Sequence, residues 1–470
     1  GANLVLWGTL QRLGDRVRVT YSLVALPDGA RLAGDMVDGP AADFFQIQDQ
    51  LATRVLAALD LAGIASTPVA LRKGLENAGD QESYLQALGH LQRYDRESSV
   101  DAAIALLEPL AREAPDSALV QAALGRAYLD KYKLTSGRTW AEKAAMACAV
   151  AARSGRDLPE VRVTQGELDR RTGRTEQAIA EFQAVLRSDP GSADAALGLA
   201  QTYEDRGELV EAEKQYRKAI ELRPSFWAGY NHLGRFYYKH ARYGQAAELF
   251  GRVAELTPDN VRAYNSMGAA YHQMGRSEEA AAAFQRSIAI QPNADAYSNL
   301  GTLEFYRGRY SDAVAAFERA TALRPGDSYL WANLGDAYRW APGKRERAAT
   351  AYENAIRLAR ERLEINPRDS EAHMTIALCR AKTGQHAAAL RDLEEALAAE
   401  PGNVSNFYSA AIVNELVGRR GEALRWIRKS VDSGYGTAEI EREPEFGQLK
   451  NDKEFREALS RRAGPRPNAS

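Results

Sequence analysis

Cysteine is nearly absent: only Cys148 and Cys379 occur in 470 residues. That excludes a disulfide-stapled scaffold and a cysteine-based zinc module. Neither sign of charge prevails. Lys+Arg number 61 and Asp+Glu 63, a formal net charge of −2, so no strong overall field favours nucleic acid or an acidic membrane. No apolar run approaches the ~20 residues of a membrane-spanning helix, the longest small-apolar run being Ala144 to Ala152. Signatures of catalysis are missing too: there is no HExxH, phosphate-binding loop, GxSxG or kinase catalytic-loop pattern. Glu445-Phe446-Gly447 offers Glu where a kinase metal motif needs Asp, and Gly343-Lys344 lacks the upstream glycine of a phosphate loop. The histidines His90, His232, His240, His272, His373 and His386 are scattered. His232 and His240 can face alike on neighbouring helical turns, but without a carboxylate or cysteine cluster they read as surface residues rather than metal ligands. No catalytic, cofactor-binding or metal-ligating residue is therefore assigned, and the two cysteines read as packed thiols.

What is present is a foldable composition, 45% hydrophobic and 26% charged. By length alone, about three ordinary domains of ~150 residues would be expected. The opening Ala2-Asn3-Leu4-Val5-Leu6 already reads as a strand entering a sheet, which suggests numbering that starts inside a longer product. Residues 1–62 carry strand patterning. Arg16 to Val24 alternates, with Val17, Val19, Tyr21 and Leu23 on one face and Arg16, Arg18, Thr20 and Ser22 on the other. Gly14-Asp15 joins it to a strand Leu4 to Gln11, and Pro27-Asp28-Gly29 turns it into a third, Arg31 to Val37, before Gly39-Pro40 breaks the pattern. A helix follows on Phe44, Ile47, Leu51, Val55 and Ala58, with Asp43 as its N-cap. Three strands and a helix bury little core alone, so this is expected to be half of a small α+β domain.

Beyond about Gln81 the chain turns alanine-rich and repeats itself. Pro190, Pro224, Pro258 and Pro292 are each 34 apart, Pro325 follows after 33, and Pro367 and Pro401 are again 34 apart. Each period carries the same kinds of residue. In residues 261–292 they are Tyr264, Met267-Gly268, Tyr271, Gly275, Ala280, Phe284 and Pro292. The units 193–224, 227–258 and 294–325 repeat the scheme, for example with Leu233-Gly234 and Phe250, or Leu300-Gly301 and Phe317. Small residues would sit where two helices approach closely, the large aromatics would fill the wedge between hairpins, and a glycine tolerant of positive φ would join the helices. Proline would stop the second helix. This pattern resembles the tetratricopeptide repeat (TPR) family, which implies a mainly α, right-handed α-solenoid of helical hairpins. More degenerate units at 82–115, 116–156, 159–190, 370–401 and 404–437 bring the count to about ten, the second with a longer inter-helix loop from Asp130 to Arg138. In the unit opening at Ser328, Ala341-Pro342-Gly343 adds a residue to the turn. Its second helix, 348–366, runs seven residues beyond the usual stop, nearly two turns, which keeps the buried face in phase. Ile440, Phe446, Leu449, Phe455 and Leu459 read as an apolar-inside cap.

The expected organisation is a half-domain at 1–62, a linker at 63–81, the solenoid at 82–437, a cap at 438–461 and a disordered tail at 462–470. Residues 3–62 resemble the carboxy-terminal half of a TolB amino-terminal-like domain, on Val5-Leu6-Trp7-Gly8-Thr9-Leu10, Gly14-Asp15-Arg16-Val17-Arg18-Val19 and the Gln48-Asp49-Gln50 helix. That resemblance implies the regulatory region of a bacterial signalling protein of kinase, cyclase or transcription-regulator type. It would work in the cytoplasm, or on the extracytoplasmic side if a membrane anchor exists upstream. The TPR resemblance implies a concave groove lined by the first helices, with repeat positions 2, 5, 6, 9, 12 and 13 pointing into it. Here these include Asn231, Arg235, Tyr238 and Lys239, then Asn265, His272 and Gln273. Asn299, Phe305 and Tyr306 follow, then Asn333, Asp336, Arg339 and Trp340. Side-chain amides can pair with an extended peptide backbone, and Tyr306 and Trp340 beside Arg339 would serve as anchors. The Lys/Asn pattern that clamps a terminal carboxylate in some TPR proteins is not reproduced. The expected function is a protein or peptide scaffold that needs no cofactor and no nucleic acid. The alternative is a structural array that self-associates, which an open edge at Leu4 to Gln11 would permit. Asn403-Val404-Ser405 has the form of a glycosylation acceptor.

Overall fold

The computed structural model describes residues 4–25, 31–40, 47, 50, 51, 53–55, 75, 77–135 and 137–460. The Pro27-Asp28-Gly29 turn, Asp43, Phe44, Ala58, most of the expected linker 63–81 and the tail 462–470 lie outside the described residues. The chain divides into two compact units, Gly1–Arg223 and Pro224–Ser470.

The first unit opens on an antiparallel sheet of order β1-β2-β3, with β1 Leu4–Leu13, β2 Arg16–Ala25 and β3 Arg31–Pro40. Gly14 takes φ +64 in the first turn, as the Gly-Asp pair predicts. Period-2 patterning decides the buried face: Val17, Tyr21 and Val37 close over Ile47, with Leu51 and Val55 beside it. The strand does not break at Gly39. It runs to Pro40, paired to Arg16, and Gly39 within it lies where a Cβ would stand 2.8 Å from Ile47. Four helical hairpins follow in this unit and six in the second, ten among the described residues.

Each hairpin is built by the same local chemistry. Side chains of Asn77, Ser192, Asn260, Asn293, Asp327, Asp369 and Asn403 cap first helices by accepting from amides two or three residues on. Such a cap contributes about 1 kcal/mol. The glycosylation-like Asn403 is thus a helix cap. Residues between the helices take positive φ at Gly173, Gly207, Gly275, Gly308, Gly384 and Gly418, and Ala241 holds the equivalent place at φ +57. Four residues into a first helix, a polar atom returns to a carbonyl six residues back: Tyr230 to Pro224 (3.0 Å), Trp331 to Pro325 (2.8 Å) and His373 to Pro367 (3.1 Å). These bonds tie each hairpin to the connection before it.

In four successive hairpins the glycine of the first helix packs against the aromatic of its own second helix. A Cβ on Gly234 would stand 2.9 Å from Phe250, on Gly268 2.6 Å from Phe284, on Gly301 2.9 Å from Phe317 and on Gly335 2.5 Å from Tyr352. The aromatics therefore close a hairpin as well as the wedge to the next; Phe182 does both, against Gly166 and Gly198. Cys148 takes the aromatic's place opposite Gly125, at 3.1 Å. Both cysteines are free and buried, and burial pushes each thiol up to about 12.

Three expectations need correction. Residues 130–135 are not a loop: the helix Ala118–Thr135 continues through them. Lys131 donates from there to Glu97 (2.8 Å) and Asp101 (2.6 Å), and Lys133 lies over the Tyr94 ring at 4.8 Å. The long helix spans Glu346–Ile365 rather than 348–366; counted from Ala348, as Leu323 is from Ala313, its end lies seven residues beyond the usual stop, as expected. Its buried stripe continues through Ile356, Leu358 and Ala359, while Ile365 is 88% exposed. His232 is buried, not a surface residue.

Candidate functional site

In the second unit the first helices touch one another in succession: Val261–Gln273, Ala294–Tyr306, Ser328–Trp340, Ser370–Lys382 and Val404–Leu416. These successive contacts make the first helices one layer, the inner layer of the unit. The side chains predicted to face the groove lie on three of these helices and on the first helix before them, Trp227–Lys239, whose Tyr238 bonds Gln273. Asn231, Asn265, Asn299 and Asn333 are all half-buried, and Arg235 and Lys239 are exposed. Asn265 donates to Asn293 at 3.1 Å, while its own amide oxygen is buried without a hydrogen-bond partner.

The anchors assigned to a partner are already engaged within the unit. A helix Thr437–Arg442 and a 3-10 turn Pro444–Phe446 follow the last hairpin and turn back onto the inner layer. Glu439 lies 3.8 Å from His272 and accepts from Gln273 at 3.4 Å, across 166 residues of sequence. Gln273 also bonds Tyr238. Glu445 pairs with Arg339 and accepts from the Trp340 indole. Trp340 stacks on Tyr310, centroids 5.9 Å apart. Tyr306 is not an open aromatic: its hydroxyl lies 3.4 Å from that of Tyr408, which donates to Glu443 at 2.6 Å and stacks on Tyr435 at 4.5 Å. The segment that follows the repeats thus meets Arg339 and Trp340 directly and Tyr306 through Tyr408, with Trp340 still 37% exposed.

Beneath this contact runs a polar network. Lys382 donates to both carboxylate oxygens of Asp336 (2.6 and 2.7 Å), which also accepts from the Tyr352 hydroxyl at 2.7 Å. The Lys382 side chain is only 8% exposed. Burial works against its charge, but Asp336 and Glu445 outweigh that and hold its pKa above the ordinary value. Burial lifts the carboxyls of Glu443 and Glu445 above the usual range, against the pull of the Tyr408 hydrogen bond and of Lys382 and Arg339. Burial also pulls the His272 imidazole down, with Glu439 opposing. Sequence reasoning missed Lys382 and the three glutamates. Glu439, Glu443 and Glu445 sit in a Glu-rich stretch that reads locally as solvated surface, and only the fold shows what they meet.

Among the described residues no group of three His, Cys, Asp or Glu side chains converges as a metal site would, and no helix is long and apolar enough to cross a membrane.

Comparison with protein families matches tetratricopeptide repeats at residues 163–225 and 338–404, 261–293 and 294–327, and a TPR repeat at 237–275. Among solved structures, the chain is similar to PilF of Pseudomonas aeruginosa at 20% identity, covering 44% of this chain and 92% of that one, with a TM-score of 0.37. It is also similar to MamA of Desulfovibrio magneticus RS-1 (19% identity, 36% and 95% covered, TM-score 0.33). The Cut9–Hcn1 hetero-tetramer of APC/C matches at 18% identity over 81% of this chain and 75% of that one, TM-score 0.45. No curated protein sequence matches.

Proposed function

We propose that this chain, which carries tetratricopeptide repeats over residues 163–225, 237–327 and 338–404, is a scaffold that seats a polypeptide segment on the first-helix layer of its second unit. One observation carries this reading: the layer already holds a polypeptide, the segment 437–446, through side chains on three separate first helices. Beside that segment, Asn231, Arg235, Asn265 and Asn299 leave polar side chains on the same layer. An amide can donate to one backbone carbonyl and accept from one backbone N–H, the pairing an extended peptide needs. The layer supplies recognition and no reacting group, so the role is binding rather than catalysis. The resemblance of residues 3–62 to a TolB-like half-domain supports placing the scaffold in the regulatory region of a bacterial signalling protein.

The test is binding by groove variants. Peptides selected on an array by the full chain should lose about tenfold or more in affinity when Asn231, Arg235, Asn265 and Asn299 become alanine, with helical circular dichroism unchanged. Unchanged affinity would move the site off this layer. A second reading, self-association, is favoured by β1. Its Leu6, Trp7, Leu10 and Leu13 are 48 to 59% exposed on a strand that, among the described residues, pairs on one side only. Light scattering behind size exclusion across concentration decides it: a constant monomer mass removes this reading.

A further inference from the structure

The segment 436–446 is attached in two unequal ways. Its far end is anchored by apolar burial, Phe446 and Leu449 being fully covered on the last hairpin together with Ile440. Its polar contacts along the inner layer are made by carboxylates, with Ile440 buried between them. Glu439 goes to His272 and Gln273, Glu443 to Tyr408, and Glu445 to Arg339. The helix carrying Glu439 has six residues, too short to persist without the surface under it. Three residues before that helix, Gly434 sits at φ +90, a sharp exit from the last hairpin.

Resting on the scaffold reading above, we infer that the ligand class of this layer is an acidic polypeptide segment, and that residues 436–446 are a tethered competitor which such a partner displaces. Charge complementarity supports this. The layer offers Arg339, Lys382 and His272 where the segment places glutamates, and Arg235 and Lys239 lie exposed on the first helix before them. Lys382 acts on Glu445 through its field, from its own pairing with Asp336. A tethered segment competes at a high effective concentration, so a free peptide of the same chemistry binds the intact chain only weakly. A partner succeeds by adding contacts to the uncovered part of the layer, at Asn231 and Arg235.

The experiment uses the full chain and a fluorescein-labelled peptide carrying the sequence of residues 436–447. The Glu439→Gln/Glu445→Gln chain should bind this probe about tenfold or more tightly than the unaltered chain, the gain expected if the tethered segment occupies the layer about nine-tenths of the time. Adding Arg339→Glu should abolish that binding, as should replacing the probe's glutamates by glutamine. Saturating probe should speed amide hydrogen exchange at residues 437–445 of the unaltered chain. The single variant Glu439→Gln, whose side chain is at the rim, gives a smaller gain if the double variant loses helicity. Equal affinity for unaltered and variant chains, or no binding to a helical variant, overturns the inference. If the probe fails while the alanine variants still weaken array-selected peptides, acidic specificity is wrong and the scaffold reading stands. If those alanines change nothing, the scaffold reading itself falls.

Discussion

Phe284→Ala is expected to cost about 3–5 kcal/mol of local stability, because the ring is 2% exposed and its removal leaves a void between the two helices. The ring lies against Gly268, where a Cβ would stand 2.6 Å from it. Gly268→Leu should therefore cost about 3 kcal/mol, the upper end for overpacking, since the added side chain must push the helices Val261–Gln273 and Ser277–Ile290 apart. The two changes fail for opposite reasons, one leaving a void and the other filling it twice. The double variant should cost at least about 1 kcal/mol less than the sum. Hydrogen-exchange protection of the two helices reads this locally, which matters in an array whose repeats need not unfold together. Additivity within about 0.5 kcal/mol would mean that the ring and the glycine do not share the space assigned to them.

Lys382→Met should cost about 3 kcal/mol. The ammonium donates to both oxygens of Asp336 and is 8% exposed, so its removal leaves a carboxylate with a single remaining donor, Tyr352. Breaking a buried pair from one side typically costs about 3–5 kcal/mol, and the lower end applies because Asp336 keeps 24% of its side-chain surface. Asp336→Asn/Lys382→Met together should recover more than half of the loss, since a neutral amide still accepts from Tyr352 and leaves no charge stranded. Urea titration of the single and double variants decides it. A loss below about 1 kcal/mol for Lys382→Met would show that water already shares the pair.

The parts of the fold that were legible are those whose cause is local or periodic. Gly268 and Phe284 recur with their counterparts at one spacing, and a hairpin that must bring two helices together explains both, so the ten hairpins could be counted without coordinates. Val17, Tyr21 and Val37 were readable for the same reason, since alternation alone selects the face that meets Ile47. The helical residues 130–135 were not. What extends that helix is Lys131 meeting Glu97 and Asp101, 34 and 30 residues away, a cause that no window of sequence contains. The candidate site divides likewise. Helical phase places Tyr306, Arg339 and Trp340 on the inner layer, but it is silent about Tyr408, Glu443 and Glu445, which arrive 102 to 106 residues later or pair with what does. Ile440 and Phe446 mark the stretch as a cap, but nothing in it says which inner-layer side chains its glutamates will meet.

The bond between Gln273 and Glu439 has a mechanical consequence. A ladder of hairpins, each touching only its neighbours, opens from whichever end is looser, and its rungs come apart one at a time. A clasp between the second and the last part of the same unit puts the hairpins between them in series within a ring. Tension applied to the chain end then falls on the apolar cap around Phe446, Leu449 and Phe455 and next on the Glu445 and Glu439 contacts, before the hairpins between 261 and 416 carry load. Releasing that clasp should lengthen and soften the array without unfolding it, so that a single-molecule stretching trace would show a small early step ahead of the sawtooth of the repeats.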